Sequence, residues 1–193
     1  MIDNPYLSES GVFVVKTVFD LFIGAVLIRF LLQWVRADFR NQVSQFLVKV
    51  TNPVIIPLRR MVPGVGGIDV ASVIVLIVLQ VTKVWLIQLI AAQAHSTAGL
   101  LTLALADFIE LLVTIYTITI ILQVLLSWVG PRTSNPLNGP LHALNEPLLA
   151  PLRRIVPTIS GFDLTPVVLL LVFHLVKILV IAPLTDIGRG LVS

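Results

Sequence analysis

The sequence repeats itself at an offset of 94 residues, and this duplication limits the possible folds more than any other feature. Segments 53–69 and 147–163 both read P-x3-P-L-R-R-x-V-P-x3-G-x-D, and 17 of the 50 residues in 34–83 recur 94 positions later. A gap-free repeat of this length indicates one supersecondary unit present twice. We therefore predict two repeats, over residues 1–98 and 99–193.

The composition indicates the solvent in which these repeats fold. Hydrophobic residues make up 57% of the chain, charged residues 12%, and the mean hydropathy is +1.02. These values lie well outside the range of soluble domains and predict a polytopic membrane protein. The chain contains no cysteine, which excludes disulfides, thiolate metal sites and thiol nucleophiles.

The apolar stretches predict an all-α membrane protein with four transmembrane helices, arranged as two repeats of parallel orientation. Each stretch is long enough, at about 1.5 Å per residue, to cross most or all of a hydrocarbon core of about 30 Å. The third stretch begins at Leu100, and the repeat alignment predicts that Leu100 to Asp107 form an outer turn. The fourth is expected to stop at Pro183. The predicted spans are residues 12–35, 70–92, 108–129 and 164–182.

Between the two spans of the first repeat lies a short amphipathic segment, which predicts an interfacial helix along the membrane plane. Pro53 and Pro57 are expected to end this helix, and the glycines at 64, 66 and 67 indicate a turn. The second copy is weaker because Pro136, Gly139 and Pro140 crowd its start. The apolar faces comprise Val43, Phe46, Leu47 and Val50 in the first copy and Leu137, Leu141 and Leu144 in the second.

The distribution of basic residues predicts the orientation of the chain. Each repeat crosses the membrane twice, so both motif links lie on the same side, as in a parallel repeat. The links carry most of the Lys and Arg residues outside the spans, and the positive-inside rule therefore places them in the cytoplasm and both termini in the periplasm. Residues 1–11 lack the basic flank and cleavage site of a secretory signal, so we expect the N-terminus to be retained.

The doubled motif, together with the Arg29 to Val35 segment that precedes its first copy, resembles the YggT family of bacterial integral membrane proteins, also called YlmG-like in Gram-positive bacteria and plastids. The resemblance covers nearly the whole chain and implies a bacterial inner membrane location. The family has no assigned catalytic chemistry. The resemblance implies links with osmotic-shock tolerance and potassium homeostasis, with cell division or nucleoid distribution, and in plastids with haem attachment. The second copy departs from the first at Gln123, which replaces Arg29, and at Pro166, which replaces Ser72.

The motif itself contains the first set of candidate residues. Asp69 and Asp163 immediately precede apolar spans, where a carboxylate suits the N-cap and the positive end of the helix dipole; a role in ligand binding is the alternative. The motif arginines suit contacts with lipid phosphates that set orientation, or alternatively a specific protein or headgroup partner. These arginines are Arg59 and Arg60 in the first copy and Arg153 and Arg154 in the second.

Charged residues within the spans form the second set, because an ionisable side chain at this depth is costly and usually paired. Asp20 and Lys83 lie at the same depth, about 21 Å from the motif side, so we predict that they pair. In the second repeat Lys177 has the depth of Lys83, and the nearest acid is Glu110, one turn further out. These pairs would fasten neighbouring helices, or alternatively line an ion or proton pathway.

Two classes of function remain from the sequence. One is a non-enzymatic scaffold or assembly factor whose basic links bind anionic lipid headgroups or an unidentified protein partner; the other is a small ion transporter or channel subunit. Spans without internal Gly or Pro breaks count against transport. An enzyme is not expected, since no nucleophile, base and orienting group come together. No cofactor, metal site or direct nucleic-acid contact is expected, and four spans form a thin bundle that favours a homo-oligomer if anything is to pass through.

Overall fold

The computed structural model of the protein describes residues 5–92, 96–129, 135–156 and 163–192. In this part of the chain the protein consists of helices joined by short loops, and four helical runs are long and apolar enough to cross a membrane. The first and third runs, at 30 and 32 residues, exceed the length needed for a hydrocarbon core of about 30 Å. The four runs are Pro5–Trp34, Val70–Ile90, Thr97–Trp128 and Thr165–Gly190.

The first repeat contains two long helices and a shorter amphipathic one between them. The amphipathic helix begins after Asn41, whose side-chain oxygen accepts the amide of Ser44 at 2.8 Å and so caps the helix N-terminus. The third helix begins in the same way after Asp69. The helices are α1 (Pro5–Trp34), α2 (Gln42–Met61) and α3 (Val70–Ile90).

The second repeat follows the same order but ends differently. Its last span is a continuous helical run that changes its winding at Lys177, where one π-helical turn separates two α-helical parts. The elements are α4 (Thr97–Val129), α5 (Asn138–Arg153), α6 (Thr165–Val176), the π-turn (Lys177–Ile181) and α7 (Ala182–Gly190).

The two repeats share one apolar core. Ile23 and Leu27 of α1 pack with Val75 of α3 and Ile55 of α2, and Ile115 of α4 joins them from the second repeat. A second cluster brings Leu32, Leu47 and Leu144 together where α1, α2 and α5 meet. The end of the bundle that holds residues 35–69, 135–156 and 163 is called the motif end below.

The prediction that Pro53 and Pro57 end the amphipathic helix is wrong, because α2 runs through both prolines to Met61. Each proline removes one backbone hydrogen bond, which in a helix interior costs about 3 kcal/mol. The buried face of α2, with Leu47, Thr51 and Ile55 one turn apart, packs into the two apolar clusters or against α1 and compensates for this loss. Helix α5 likewise contains its two motif prolines.

The expected outer turn between Leu100 and Asp107 is helical in the structure. Helix α4 begins at Thr97 and runs without a break to Val129. Its first turns pack closely on α7, where Leu103 lies against Gly188 and where Ala104 and Ala106 are buried. This packing gives the early turns of α4 a partner, so they continue the helix instead of turning.

The predicted end of the fourth span at Pro183 is also wrong. The helical run continues to Gly190, and Pro183 lies in the first turn of α7. The amide of Ala182 donates to the carbonyl of Lys177, five residues earlier, and this wider turn leaves room for the proline ring. The fourth span is thus continuous, but its winding is irregular just before the proline.

The glycine-rich turn of the first motif copy is present as predicted. Val65 and Ile68 exchange backbone hydrogen bonds, and Gly66 and Gly67 between them have φ angles of 62° and 84°. Two successive positive φ angles favour glycine, because a Cβ would clash with the backbone there. In the second motif copy, the residues from 157 to 162 lie outside the described residues, as does Arg132 of the second basic link.

Candidate functional site

Lys83 of α3 is the centre of the charge cluster, which we define as Lys16, Asp20, Gln80, Lys83 and Asp107. The Lys83 side chain has no solvent exposure, and its Nζ lies against Oδ1 of Asp20 and Oδ2 of Asp107. Asp20 belongs to α1, whereas Asp107 belongs to α4 in the other repeat. One buried ammonium group therefore holds three helices together and joins the two repeats.

Two further side chains complete the charge cluster. Gln80 Nε2 donates to Asp107 Oδ2 at 2.6 Å, and Lys16 Nζ lies 3.9 Å from Asp107 Oδ1. With Lys16 included, two basic side chains lie beside two acidic ones, as expected for charged residues within a membrane span. Gln80 Oε1 is buried without a hydrogen-bond partner in the described part of the chain.

The second repeat does not reproduce this cluster. Glu110 is exposed on α4, and Lys177 is half-buried at the start of the π-turn. Among the described residues neither has an ion-pair or hydrogen-bond partner, so the predicted pairing of Glu110 with Lys177 is not formed. The position equivalent to Asp20 is Thr114, which carries no charge, and Glu110 lies a full turn away from it.

At the motif end, the first arginine of each motif copy bonds to the aspartate ten residues later. In the first repeat Arg59 Nε lies 3.1 Å from Asp69 Oδ1 and 3.2 Å from Oδ2, and Arg59 Nη2 also donates to Gln33 Oε1 at 3.0 Å. In the second repeat Arg153 Nε donates to Asp163 Oδ2 at 3.0 Å. We call these two contacts the motif brackets, since each joins the C-terminal turn of an amphipathic helix to the residue that precedes or nearly precedes the following span.

The bracket of the second repeat contains an additional carboxylate. Arg153 Nη1 donates to both oxygens of Glu146, at 2.8 and 3.0 Å, and His142 Nδ1 lies 3.6 Å from the same carboxylate. Position 52 in the first repeat, equivalent to Glu146, is asparagine. Arg153 is therefore compensated by two acids, whereas Arg59 is compensated by one.

The brackets alter the ionisation of their members. Burial opposes the charge of Asp69, but hydrogen bonds from Arg59 and Ser72 outweigh burial and lower the pKa of this carboxyl below its ordinary value. Burial also opposes the charge of Asp163, and hydrogen bonds from Thr165 and Arg153 again lower its pKa. The hydrogen bond to Asp69 raises the pKa of Arg59. Both brackets are thus ionised pairs at neutral pH.

The two aspartates meet their helices differently. Asp69 is the N-cap of α3 and accepts the amide of Ser72. The cap of α6 is Leu164 rather than Asp163, and Asp163 Oδ1 accepts the amide of Thr165 at 2.9 Å instead. The reason is that Pro166 stands where the first repeat has Ser72, and proline has no amide hydrogen to donate.

The second arginine of each motif copy remains available. Arg60 and Arg154 are both exposed, and neither has a hydrogen-bond or ion-pair partner among the described residues. The sequence alone did not distinguish the two arginines of each pair, since both were candidates for the same contacts.

Three contributors to these sites were missed by sequence reasoning. Asp107 is expected in an outer turn because it lies 21 residues before Trp128, or about 31 Å along the helix. This distance exceeds the predicted depth of Lys83, about 21 Å from the motif side. Gln80 shared its face of α3 with Lys83, three residues away, and this spacing was a usable signal. Arg29, only 4% exposed, donates from Nη1 to Thr51 Oγ1 at 2.6 Å.

Within the ranges that the structure describes, no group of three His, Asp or Glu side chains converges as a metal site would require. His142 and His174 lie in different elements, and His95 is outside the described residues. The polar groups described above are arranged as ion pairs and caps.

Comparison with known proteins identifies the family. The CCB3/YggT family model matches residues 8–90 and again 102–184, which supports the two-part repeat. The chain is 37% identical over 179 residues to the uncharacterized protein PA0392 of Pseudomonas aeruginosa, covering 91% of this chain and 90% of that one. It is 36% identical over 171 residues to the uncharacterized protein YggT of Escherichia coli K12, covering 86% of each chain. No solved structure matches.

A third relative, from Vibrio alginolyticus, is described as an uncharacterized protein in the proC 3' region. It is 43% identical over 163 residues, covering 83% of this chain and 88% of the relative. The four apolar helical runs and the two motif brackets define a multi-pass membrane protein of internally duplicated design. The chain belongs to the CCB3/YggT family.

Proposed function

We propose that this protein is a non-enzymatic scaffold or assembly factor of the bacterial inner membrane, with its motif end in the cytoplasm. The observation that supports this proposal is that the two arginines of each motif pair make different contacts. Arg59 and Arg153 are held by the brackets, whereas Arg60 and Arg154 project from the same end of the bundle without partners in the described chain. The brackets thus position two free guanidinium groups for acidic partners.

The charge balance of the motif end supports the same role. Basic residues outnumber acidic ones there, which favours a cytoplasmic location under the positive-inside rule. Near an anionic membrane surface each exposed basic residue contributes about 1 kcal/mol of attraction. The described residues of this end include the basic side chains Arg36, Arg40, Lys49, Arg59, Arg60, Arg153 and Arg154 and the acidic side chains Asp38, Asp69, Glu146 and Asp163.

The charge cluster fits a scaffold because it fastens helices. Lys83 is completely buried and contacts carboxylates from two different helices, one in each repeat. A bundle with few helices gains stiffness when its halves are tied in this way, and a stiff bundle keeps Arg60 and Arg154 at a constant separation. The acidic groups that these arginines meet would belong either to a partner protein or to anionic lipid headgroups.

The test uses paired variants with equal loss of charge. In a deletion strain, complementation of growth after osmotic shock would be measured for Arg60→Gln with Arg154→Gln, and for Arg36→Gln with Lys49→Gln as the control. We expect the first variant to fail and the control to complement, with equal amounts of both proteins in the membrane by blot. Full complementation by the first variant would contradict the proposed docking surface.

Ion transport is the second candidate, and two observations favour it. Gln80 Oε1 is buried beside charged side chains and has no hydrogen-bond partner among the residues that the structure describes. A π-turn also begins at Lys177 in the middle of a span, an irregularity often found at functional sites. Proteoliposomes that contain only this protein would show ion flux under this hypothesis. Loss of complementation in well-expressed Lys177→Met, with the Arg60 and Arg154 variant still functional, would favour transport over the scaffold.

A further inference from the structure

A cavity of about 800 Å³ lies in the second repeat between the last turns of α4, helix α5 and the first turns of α6. Its deep wall is formed by the buried side chains of Ile120 and Leu149, together with Leu170 of α6. Ile120 lies eight residues before Trp128, or about 12 Å along the helix, so the cavity extends from the interfacial level into the hydrocarbon region. Its volume is in the range of small-molecule sites, about 300–1,000 Å³.

In the first repeat the corresponding space is smaller, a pocket of about 310 Å³ beside Arg59 and Asp69. Two residues that line the cavity, Gln123 and Gly139, are equivalent to Arg29 and Gln45 of the first repeat, which are both larger. Arg29 is almost completely buried there and bonds to Thr51. Gly139 is exposed at the edge of the cavity, and a Cβ added there would meet no atom within 4 Å, so a larger side chain fits without a clash.

The cavity opens towards the lipid. Leu125 of α4 and Val167 of α6 both line it and are both exposed on the outer surface of the bundle. An apolar space at this depth, with a side opening between two spans, is accessible to the acyl chains that surround the protein, and filling it with such a chain removes apolar surface from water.

We propose that this cavity binds one membrane phospholipid by an acyl chain, with the headgroup at the motif end. The polar side chains near that end do not form a basic pocket, because Arg153 is already bonded to Glu146 and Asp163. Two carboxylates against one guanidinium give no excess positive charge for an anionic headgroup. The site therefore recognises the acyl chain of the phospholipid and not its headgroup, and zwitterionic and anionic phospholipids bind it alike. This site is separate from the free arginines of the proposed docking surface.

The test is native mass spectrometry of the delipidated full-length protein, titrated with dioleoyl phosphatidylcholine or dioleoyl phosphatidylglycerol. We expect the wild type to retain one lipid of either kind in this cavity. With Arg60 and Arg154 both changed to Gln, which removes the docking arginines, the affinities for the two lipids should agree within about threefold. Gly139→Leu fills the cavity at a helical position that favours leucine over glycine, and should lower retention by tenfold or more. The control is Gln45→Leu at the equivalent position of the first repeat, which should bind as the wild type does.

Each result decides the proposal. A second variant, Val167→Trp, narrows the opening from an exposed position and should also reduce retention if Gly139→Leu does not fold. The proposal is overturned if the wild type retains no lipid or if both cavity variants bind lipid like the wild type. It is also overturned if, with Arg60 and Arg154 both changed to Gln, the anionic lipid still binds more than tenfold better than the zwitterionic one. A failure here would leave the docking role of Arg60 and Arg154 untouched.

Discussion

A buried ammonium group requires compensating negative charge, and at the residue scale Lys83 obtains it from two carboxylates. Removing one partner of a buried ion pair lowers stability more than replacing both partners by apolar residues does, because the remaining charge stays in a medium of low dielectric constant. Lys83 and Lys177 are equivalent positions of the repeat, yet only Lys83 has acidic partners in the described chain. Lys177 therefore serves as an internal control for substitutions of Lys83.

We expect Lys83→Met to destabilise the protein by about 3 kcal/mol or more, since Asp20 and Asp107 would then lose their buried cation and keep only the half-exposed Lys16 nearby. Lys177→Met should cost much less. The measurement is the thermal unfolding of both variants in the same detergent. Adding Asp20→Asn and Asp107→Asn to Lys83→Met should recover much of the loss, and additive losses instead would show that the three residues do not interact.

The pKa of Asp69 is lowered in the folded protein, which predicts a pH dependence of stability. Its contribution is present above the ordinary carboxyl pKa of 3.8 and is lost as the pH falls through the lower folded value. The unfolding temperature of the wild type should therefore drop as the pH is lowered from 5 towards 3. Arg59→Gln should flatten this dependence, whereas Arg60→Gln, which breaks no bracket, should retain it.

At the level of helices, packing contacts determine the helix boundaries more than the intrinsic conformational preferences of prolines and glycines do. Helix α2 contains Pro53 and Pro57 because its buried face outweighs two missing hydrogen bonds. Helices α4 and α7 approach closely because Gly99 and Gly188 leave space for the facing side chains. This contact is what extends α4 beyond the expected start of its span.

The α4–α7 contact predicts a contrast between two glycines of α7. A Cβ at Gly188 would lie 2.7 Å from Leu103 Cγ and 3.3 Å from the Leu103 amide nitrogen, so Gly188→Ala should destabilise the protein by about 1–3 kcal/mol. At Gly190 nothing lies within 4 Å of the added Cβ, and Gly190→Ala should be neutral or slightly stabilising. Equal unfolding temperatures for the two variants in detergent would contradict the close packing.

At the scale of the whole molecule, the two repeats are equal in plan but unequal in detail. Both close a motif bracket and leave one arginine free. The first repeat places Arg29 and Lys83 in buried polar contacts. The second repeat has a cavity beside the equivalent of Arg29 and an unpaired Lys177 in the described chain. The two repeats thus share the contacts of the motif brackets, whereas the contacts of their residues within the spans differ.

The orientation of the whole molecule can be tested because the chain has no natural cysteine. Single cysteines at Met61, Ile155 and Thr97 would all be exposed in the structure. With the motif end in the cytoplasm, only Thr97→Cys should react with an impermeant thiol reagent added to intact cells. Met61→Cys and Ile155→Cys should react only after the membrane is opened. Labelling of Met61→Cys from outside would reverse the orientation.

Local sequence patterns are sufficient to predict the class of this protein and its duplicated arrangement of helices. The offset of 94 residues, the four apolar stretches and the start of α3 after Asp69 are properties of single segments, and local composition and periodicity report such properties directly. The turn at Gly66 and Gly67 was predictable for the same reason, because it depends on two adjacent residues.

Contacts between distant helices determine which charged groups meet, and these contacts are visible in the folded protein alone. Asp107 reaches Lys83 because α4 begins eleven residues before the expected start of its span and is displaced along its axis relative to α1. Counting residues back from Trp128 reveals neither fact. The separate roles of Arg59 and Arg60 depend on the direction in which each side chain leaves the last turn of α2. The prolines stay within their helices because burial outweighs propensity. Each of these outcomes depends on contacts between distant segments, which local pattern does not encode.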